Sequence, residues 1–463
     1  MTIAKPVKHR RRQKRRQPEL LSAAELFVPL SRALDLTEGH PFGHAMRACM
    51  IGMKLGQEAG LEGEELDALY YALLLKDAGG SANAARTAAL FGSDDHRVKP
   101  RMKFVEWTDR RDMAVETWRS TAMRGSLRSR VSHFVGMARE DNVMRSLVSS
   151  RSERGAEIAT RLGFTPQTAD GIRALDERWN GNGYPRGVHG EAIPLFARIA
   201  SLAQTADIFI TQHGSAEAEK VLRARRGEWF DPALTDATLE MIADEAFRES
   251  MQGDDLDGVV VALEPEAHRR KLDEDGVDLI ALTFADIIDA KSPYTHRHSA
   301  GVAEYARAIG KQLGFEKAAL RNLYRAGLLH DIGNLGVSSR ILEKNGSLNK
   351  AERAEIANHP VHTWEILRQV PAFAAFAMQA ATHHEKLDGS GYPWGRTADD
   401  LDATARALVV ADVFEAALAN RAYRSGVSVP EALQILNAQR GLWLDPDAVD
   451  ALVASLEHGT KDL

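Results

Sequence analysis

His330-Asp331-Ile332-Gly333-Asn334 is the stretch on which the reading of this 463-residue chain turns, together with His383-His384-Glu385 and the loop Gly389-Ser390-Gly391-Tyr392-Pro393 that follows it. Imidazole and carboxylate side chains set side by side, and repeated along one half of a sequence, are the donors that hold hard or borderline divalent cations. No thiolate alternative exists, because Cys49 is the single cysteine; a disulfide framework and a Cys-based zinc site are both excluded.

Working outward, the apolar residues around this stretch recur at helical spacing, as in Val302, Ala306, Ile309 and Leu313. His298 lies four residues before Val302, and Asp412 lies three after Val409 and four after Leu408, so each shares a helix face with core residues. His383 follows Phe376 by seven and His384 follows Ala380 by four, which lets the neighbouring imidazoles reach different metals or different sides of one site. The candidate ligands are His298, His330, Asp331, His359, His383, His384 and Asp412. Facing helices that project such groups inward are an established frame for a metal pair, and a carboxylate beside a histidine is placed to bridge two ions. Two such ions can bind a water as hydroxide and stabilise the leaving oxygen of a phosphoryl displacement. A lone buried histidine is more often a satisfied core group than a ligand, and that reading is assigned to His296 and His362.

The same frame occurs twice. His298 follows His44 by 254 residues and Asp331 follows Asp77 by the same interval, whereas Tyr392 follows Tyr184 by 208 and Glu365-Ile366 follows Glu157-Ile158 by 208. The first copy therefore carries 46 extra residues, placed in the irregular Arg- and Trp-rich stretch at about 90–135. In that copy Lys76 stands for His330, about Arg151 for His359, Leu175 for His383 and Asp176 for His384, while His44, Asp77, Glu177 and Asp207 remain. An ammonium where a ligand belonged repels a cation.

The expected architecture is all-α, with two helical bundles in tandem: a basic disordered tail over 1–19, a degenerate first domain over 20–250, a charged linker over 251–277 and a metal-binding domain over 278–463. With 44% apolar residues the chain can bury a real core, and its formal net charge of -6 favours no nucleic-acid surface. The run Lys8 to Arg16 lacks the apolar segment of a secretory signal, and no apolar run is long enough to span a bilayer, so a cytoplasmic protein is expected. Nucleic acid enters as a partner only through that basic tail.

The segments Tyr294-Thr295-His296-Arg297-His298-Ser299, His330-Asp331-Ile332-Gly333, Asn358-His359-Pro360, His383-His384-Glu385, Asp388-Gly389-Ser390-Gly391-Tyr392-Pro393 and Ala411-Asp412, in that order over about residues 278 to 430, strongly resemble the HD-GYP phosphohydrolases. The resemblance implies hydrolysis of cyclic di-GMP to linear pGpG, and onward to GMP, at an iron or manganese centre. His330 and Asp331 would be its catalytic pair and the seven residues above its metal ligands. Trinuclear members carry a carboxylate four residues before the first histidine, where this chain has Tyr294, so two divalent ions are implied. The family's His-Asp-x-Gly-Lys ends here in Asn334, which removes a cation from the substrate phosphate. Arg421-Ala422-Tyr423-Arg424 is similar to the family's phosphate-contacting segment, so Arg421 and Arg424 are expected at the substrate beside Asn334 and Tyr392, restoring part of that charge. Losing one preorganised donor costs roughly 10²–10³ in rate. Three readings therefore stay open: a cyclic-dinucleotide phosphodiesterase slowed at Asn334, a module that binds without cutting, and an HD-type hydrolase of another nucleotide. Besides the cyclic dinucleotide, a second copy of the chain and a signalling protein are the partners considered.

Overall fold

In a computed structural model, residues 21–103, 105–107, 109–122, 126–139, 142–420 and 425–459 are described; the basic tail, Arg421 and Arg424 lie outside them. The architecture is all-α, as expected, with one two-stranded antiparallel pairing of Leu21–Ser22 with Lys271–Leu272. None of the helices is long and apolar enough to cross a membrane among the described residues.

The internal repeat is visible element by element. The 15-residue His44–Glu58 helix matches the 15-residue His298–Gln312 helix, and the 13-residue Gly63–Leu75 helix matches the 13-residue Lys317–Leu329 helix. Each first helix of the pair begins at the repeated histidine, and each second helix ends one residue before Lys76 or His330. The turn that follows needs glycine in both copies. A Cβ at Gly333 would lie 2.0 Å from His359 O, and one at Gly79 would lie 1.9 Å from Arg151 O, so the chain passes against the helix carrying the next site residue. Thr363 Oγ1 donates to His330 O at 2.8 Å and accepts from Gly333 N at 3.1 Å, which fastens the second copy of that contact.

A second shared device caps the histidine-bearing helices. Asp35 accepts from Gly43 N and Ala45 N at 2.8 and 2.9 Å, and Asp289 accepts from Ser299 N and Ser299 Oγ at 3.2 and 2.6 Å. Both carboxyls are buried, and burial raises each to about 7 against the backbone hydrogen bonds that lower it.

The halves share one hydrophobic core instead of two isolated ones. Within 251–277, expected as a charged linker, Leu256–Ala262 is a helix whose Val260 O accepts from Tyr70 Oη at 3.0 Å, and buried Glu264 accepts from Ser22 Oγ at 2.6 Å and Tyr71 Oη at 2.5 Å. Its charges are satisfied by partners distant in sequence, which composition does not reveal. The inserted stretch is likewise helical, as Asp95–Lys103, Arg110–Ser120 and Leu127–Arg139, with a small core of Phe91, Val98, Met102, Met137 and Leu147.

Candidate metal centre

The seven ligand candidates converge at one place. Each of three imidazoles is oriented by the carbonyl three residues earlier: His330 Nδ1 donates to Gly327 O at 2.8 Å, His359 Nδ1 to Ile356 O at 2.7 Å and His383 Nδ1 to Ala380 O at 2.7 Å. A proton held on Nδ1 leaves Nε2 as the lone-pair nitrogen, which is the form a metal takes. The Nε2 atoms then meet at Asp331. Its Oδ1 lies 3.2 Å from His359 Nε2 and 3.6 Å from His383 Nε2, and its Oδ2 lies 3.5 Å from His330 Nε2 and 3.8 Å from His298 Nε2. Asp412 closes the other side, with Oδ1 3.5 Å from His298 Nε2 and Oδ2 4.0 Å from His384 Nδ1.

Three ligand groups follow, each with donor atoms within 4.8 Å of one another: His298 with His330 and Asp412, His359 with His383 and His384, and His330 with Asp331 and His383. The first two sit on opposite oxygens of Asp331. His383 and His384 therefore belong to the same group, and each also faces the other one, His383 towards His330 and His384 towards Asp412. His330 Nε2 is buried and meets no hydrogen-bond partner, which leaves its lone pair available to a metal ion. Burial alone would raise the Asp331 carboxyl, yet His330, His359 and His383 hold it well below the usual range, so it is an anion; burial pushes His330 down to about 4, so it is neutral. An anionic Asp331 and a neutral His330 are the states in which a carboxylate and an imidazole ligate divalent cations.

Glu415 escaped sequence reasoning. It pairs with His298 Nδ1, one turn along the helix from Asp412, and although burial opposes it, that carboxylate lifts His298 to about 9. The signal was present in the repeat: Asp207, 208 residues earlier, accepts in the same way from His44 Nδ1 at 2.7 Å. Asp207 is thus the counterpart of Glu415, and the residue standing for Asp412 is Gln204. Glu385 and Glu177 form another matched pair. Glu385 accepts from Trp394 N and Arg396 N at 2.8 and 2.9 Å, and Glu177 from Arg186 N and Val188 N at 2.7 and 3.2 Å, so each folds its Gly-Tyr-Pro loop onto the bundle.

A cavity of about 330 Å³ opens over the ligands, within the range of small-molecule sites. His298, Asp331, His359, His384 and Asp412 reach its floor, and Lys291, Tyr294, Asn334 and Lys344 are on its walls. Asn334 Oδ1 is buried there without a hydrogen-bond partner. Tyr392 stands beside the site, its ring centroid 4.7 Å from that of His384. His296 is exposed, and His362 bonds Asn358 and Glu365 away from the ligand group.

The matching place in the first half is filled by the chain's own cations. Lys76 pairs with Asp77, and Lys103 Nζ lies 3.4 Å from Asp77 Oδ1, 3.5 Å from Glu38 Oε2 and 3.2 Å from Gln204 Oε1. Arg151 joins Glu38 at 2.9 Å and also pairs with Asp176. Ammonium and guanidinium groups now neutralise the carboxylates that remain.

The profile of the HD domain family matches residues 138–234 and 283–448, once in each half. The chain is 40% identical over 434 residues to the 3′3′-cGAMP-specific phosphodiesterase 3 of Vibrio cholerae, covering 94% of both chains. A cyclic di-GMP phosphodiesterase response regulator of Xanthomonas campestris is 36% identical over 154 residues, which are 33% of this chain and 41% of that protein. Among solved structures, a cyclic GMP-AMP-specific phosphodiesterase of V. cholerae superposes with a TM-score of 0.66 at 35% identity, over 95% of this chain and 98% of that one. The fold and its histidine-aspartate centre define an HD-domain phosphohydrolase, a metal-dependent class. Within it, the chain belongs to the HD-GYP family, in a tandem arrangement whose first copy is degenerate.

Proposed function

We propose that the second half hydrolyses a phosphodiester bond of a cyclic dinucleotide, 3′3′-cGAMP in the first place. Two ligand groups sharing the carboxylate of Asp331 beneath a cavity of about 330 Å³ carry this reading. The substrate choice is supported by the relative that runs the length of the chain. Cyclic di-GMP is the second reading, supported by relatives of that name that match about a third of the chain.

His298, His330 and Asp412 would hold one divalent ion and His359, His383 and His384 a second, with Asp331 between them; iron and manganese suit this donor set. Such a pair supplies Lewis acidity towards the phosphoryl oxygen and lowers the pKa of a water. The chain's own residues do the rest. The carbonyls of Gly327, Ile356 and Ala380 keep the proton off the ligating nitrogens, Glu415 orients His298, and the packing of Gly333 against His359 O fixes the spacing of the two groups. On the wall, Asn334 offers an amide to the substrate where a lysine would offer charge, so binding of the phosphate falls to other cations, Arg421 and Arg424 included. In this proposal residues 20–250 form a scaffold that no longer binds metal, and 278–463 the catalytic unit.

The test is turnover of 3′3′-cGAMP and cyclic di-GMP by protein purified without oxygen and loaded with iron or manganese, with metal content measured on the same sample. Linear dinucleotide product, faster from 3′3′-cGAMP, is expected. Two ions per chain with no cleavage of either substrate would reject the enzyme in favour of a binding module.

A further inference from the structure

The Asp95–Lys103 helix belongs to the insertion and has no counterpart in the second half, yet it touches both sites. Asp95, Lys99 and Lys103 are spaced four apart and so form one stripe along it. At one end Lys103 enters the ion-paired cluster of Asp77, Glu38 and Gln204, and Lys99 Nζ donates to Gly80 O at 2.6 Å and Thr37 O at 2.9 Å beside it. At the other end Asp95, fully buried, accepts from Ser339 N at 2.8 Å, at the start of the short Ser339–Leu342 helix that lines the catalytic cavity. Asp95 Oδ2 also lies 3.7 Å from Lys291 Nζ, and His96 Nε2 lies 2.7 Å from it. Lys291 is itself a wall residue, and its ammonium donates to Leu335 O at 2.8 Å, the residue after Asn334.

Two walls of one cavity are thus tied to a single carboxylate of the other half, whose helix is seated by buried charges that stay paired only while it does not move. We propose that Asp95 is a positioning residue for the catalytic cavity, held in place by a helix that rests on the ion-paired cluster in the first half. The degenerate copy then serves the reaction by keeping Lys291 and the Ile341-Leu342 wall, whose helix starts at Ser339, at substrate distance from the metal ligands. This rests on the reading of that cavity as a cyclic-dinucleotide site.

The test uses the full-length, manganese-loaded protein with Asp95→Asn and, at the far end of the stripe, Lys103→Met. KM and kcat are measured with 3′3′-cGAMP and with the small diester bis(p-nitrophenyl) phosphate, together with metal content and calorimetric Kd for 3′3′-cGAMP. In both variants KM and Kd for the cyclic dinucleotide should rise roughly tenfold, a magnitude usual for misplaced binding groups. Metal content and the rate on the small diester, which does not span the walls, should stay at the wild-type value. Should Asp95→Asn fail to fold, His96→Leu cuts the Lys291 contact at a partly exposed side chain and carries the same expectation. An unchanged KM and Kd in folded protein, with the effect confined to the melting temperature, would overturn the proposal. Wild-type protein that binds the dinucleotide without cutting it would reject the hydrolase and leave the Kd shift to decide this point; wild-type protein that does not bind it at all overturns both.

Discussion

Two places in this chain share a backbone frame and differ in what fills it. In the second half, imidazoles and carboxylates surround an open donor set centred on Asp331, whereas in the first half Lys76, Lys103 and Arg151 occupy the same frame around Asp77. Everything that shapes the frame is retained in both: the buried Asp35 and Asp289 caps, the Gly79 and Gly333 contacts, and the Glu177 and Glu385 loop anchors. What differs is the source of positive charge. One copy offers its donors to metal ions beneath an open cavity, and the other pairs its carboxylates with its own side chains. Loss of a metal site therefore need not unfold a domain, provided the stranded carboxylates find cations that are part of the chain.

The largest effect should come from removing the shared carboxylate. Asp331→Ala is expected to lower cyclic-dinucleotide turnover at least about 10³-fold and to reduce bound metal, because both ligand groups lose their common oxygen donor. Asp77→Asn should leave metal content at the wild-type value, read by elemental analysis of the two proteins side by side. Equal metal loss in both would break the comparison.

Next is the charge on the cavity wall. Asn334→Lys is expected to raise turnover roughly 10- to 100-fold if the missing cation limits the rate. No gain would mean that other cations already serve the phosphate, and that the cavity of this chain is built around an amide.

Stability should separate the halves in the opposite sense. Lys76→Met leaves the buried carboxylate of Asp77 with Lys103 alone and is expected to cost about 3 kcal/mol in denaturant unfolding of chelator-treated protein, whereas His330→Met, which removes a neutral ring, should cost less in the absence of metal. Comparable costs would show that the lysine is not what replaced the ions.

A smaller effect is expected in the pH dependence. Burial raises Asp35 to about 7 in the folded protein from 3.8, so the folded state holds this proton more tightly than the unfolded one. Its contribution to stability is fully present below pH about 4 and is lost as pH rises through about 7. Asp35→Asn cannot titrate and keeps one oxygen to accept from Gly43 N or Ala45 N, so its loss of the other bond lowers stability by the same amount at every pH. The unfolding free energy of wild type relative to this variant should decline between pH 5 and 8, with a slope approaching about 1.4 kcal/mol per pH unit. Parallel curves would show that the carboxyl is already ionised in the fold.

Much of the second half was legible because ligands and periodicity both leave marks in one dimension: the side chains are of rare type, and each lies at a helical interval from apolar neighbours. The two offsets of the repeat likewise located the insertion and exposed Lys76 and Arg151 as substitutes. Asp207 was misleading for the same reason. An acid near the right place looks like a surviving ligand, and only the distance to His44 Nδ1 shows that it orients the histidine, leaving Gln204 where the ligand stood. Asp289 and Glu415 were marked only by the repeat, Asp289 following Asp35 by 254 residues and Glu415 following Asp207 by 208, since a single buried carboxylate on a helix has no pattern of its own.

The sequence by itself determined the helical class, the duplication, the seven residues that meet at one point and the chemistry those donors allow. The tertiary structure alone decided that two groups of three share Asp331, that the carboxylates of the first copy are paired with its own cations, and that Asp95 of one half holds the walls of the other. Ligand type and helical spacing are local properties written in residue order. Which oxygen faces which nitrogen, and which charge reaches across from a distant segment, depends on how helices far apart in the chain pack on a common core.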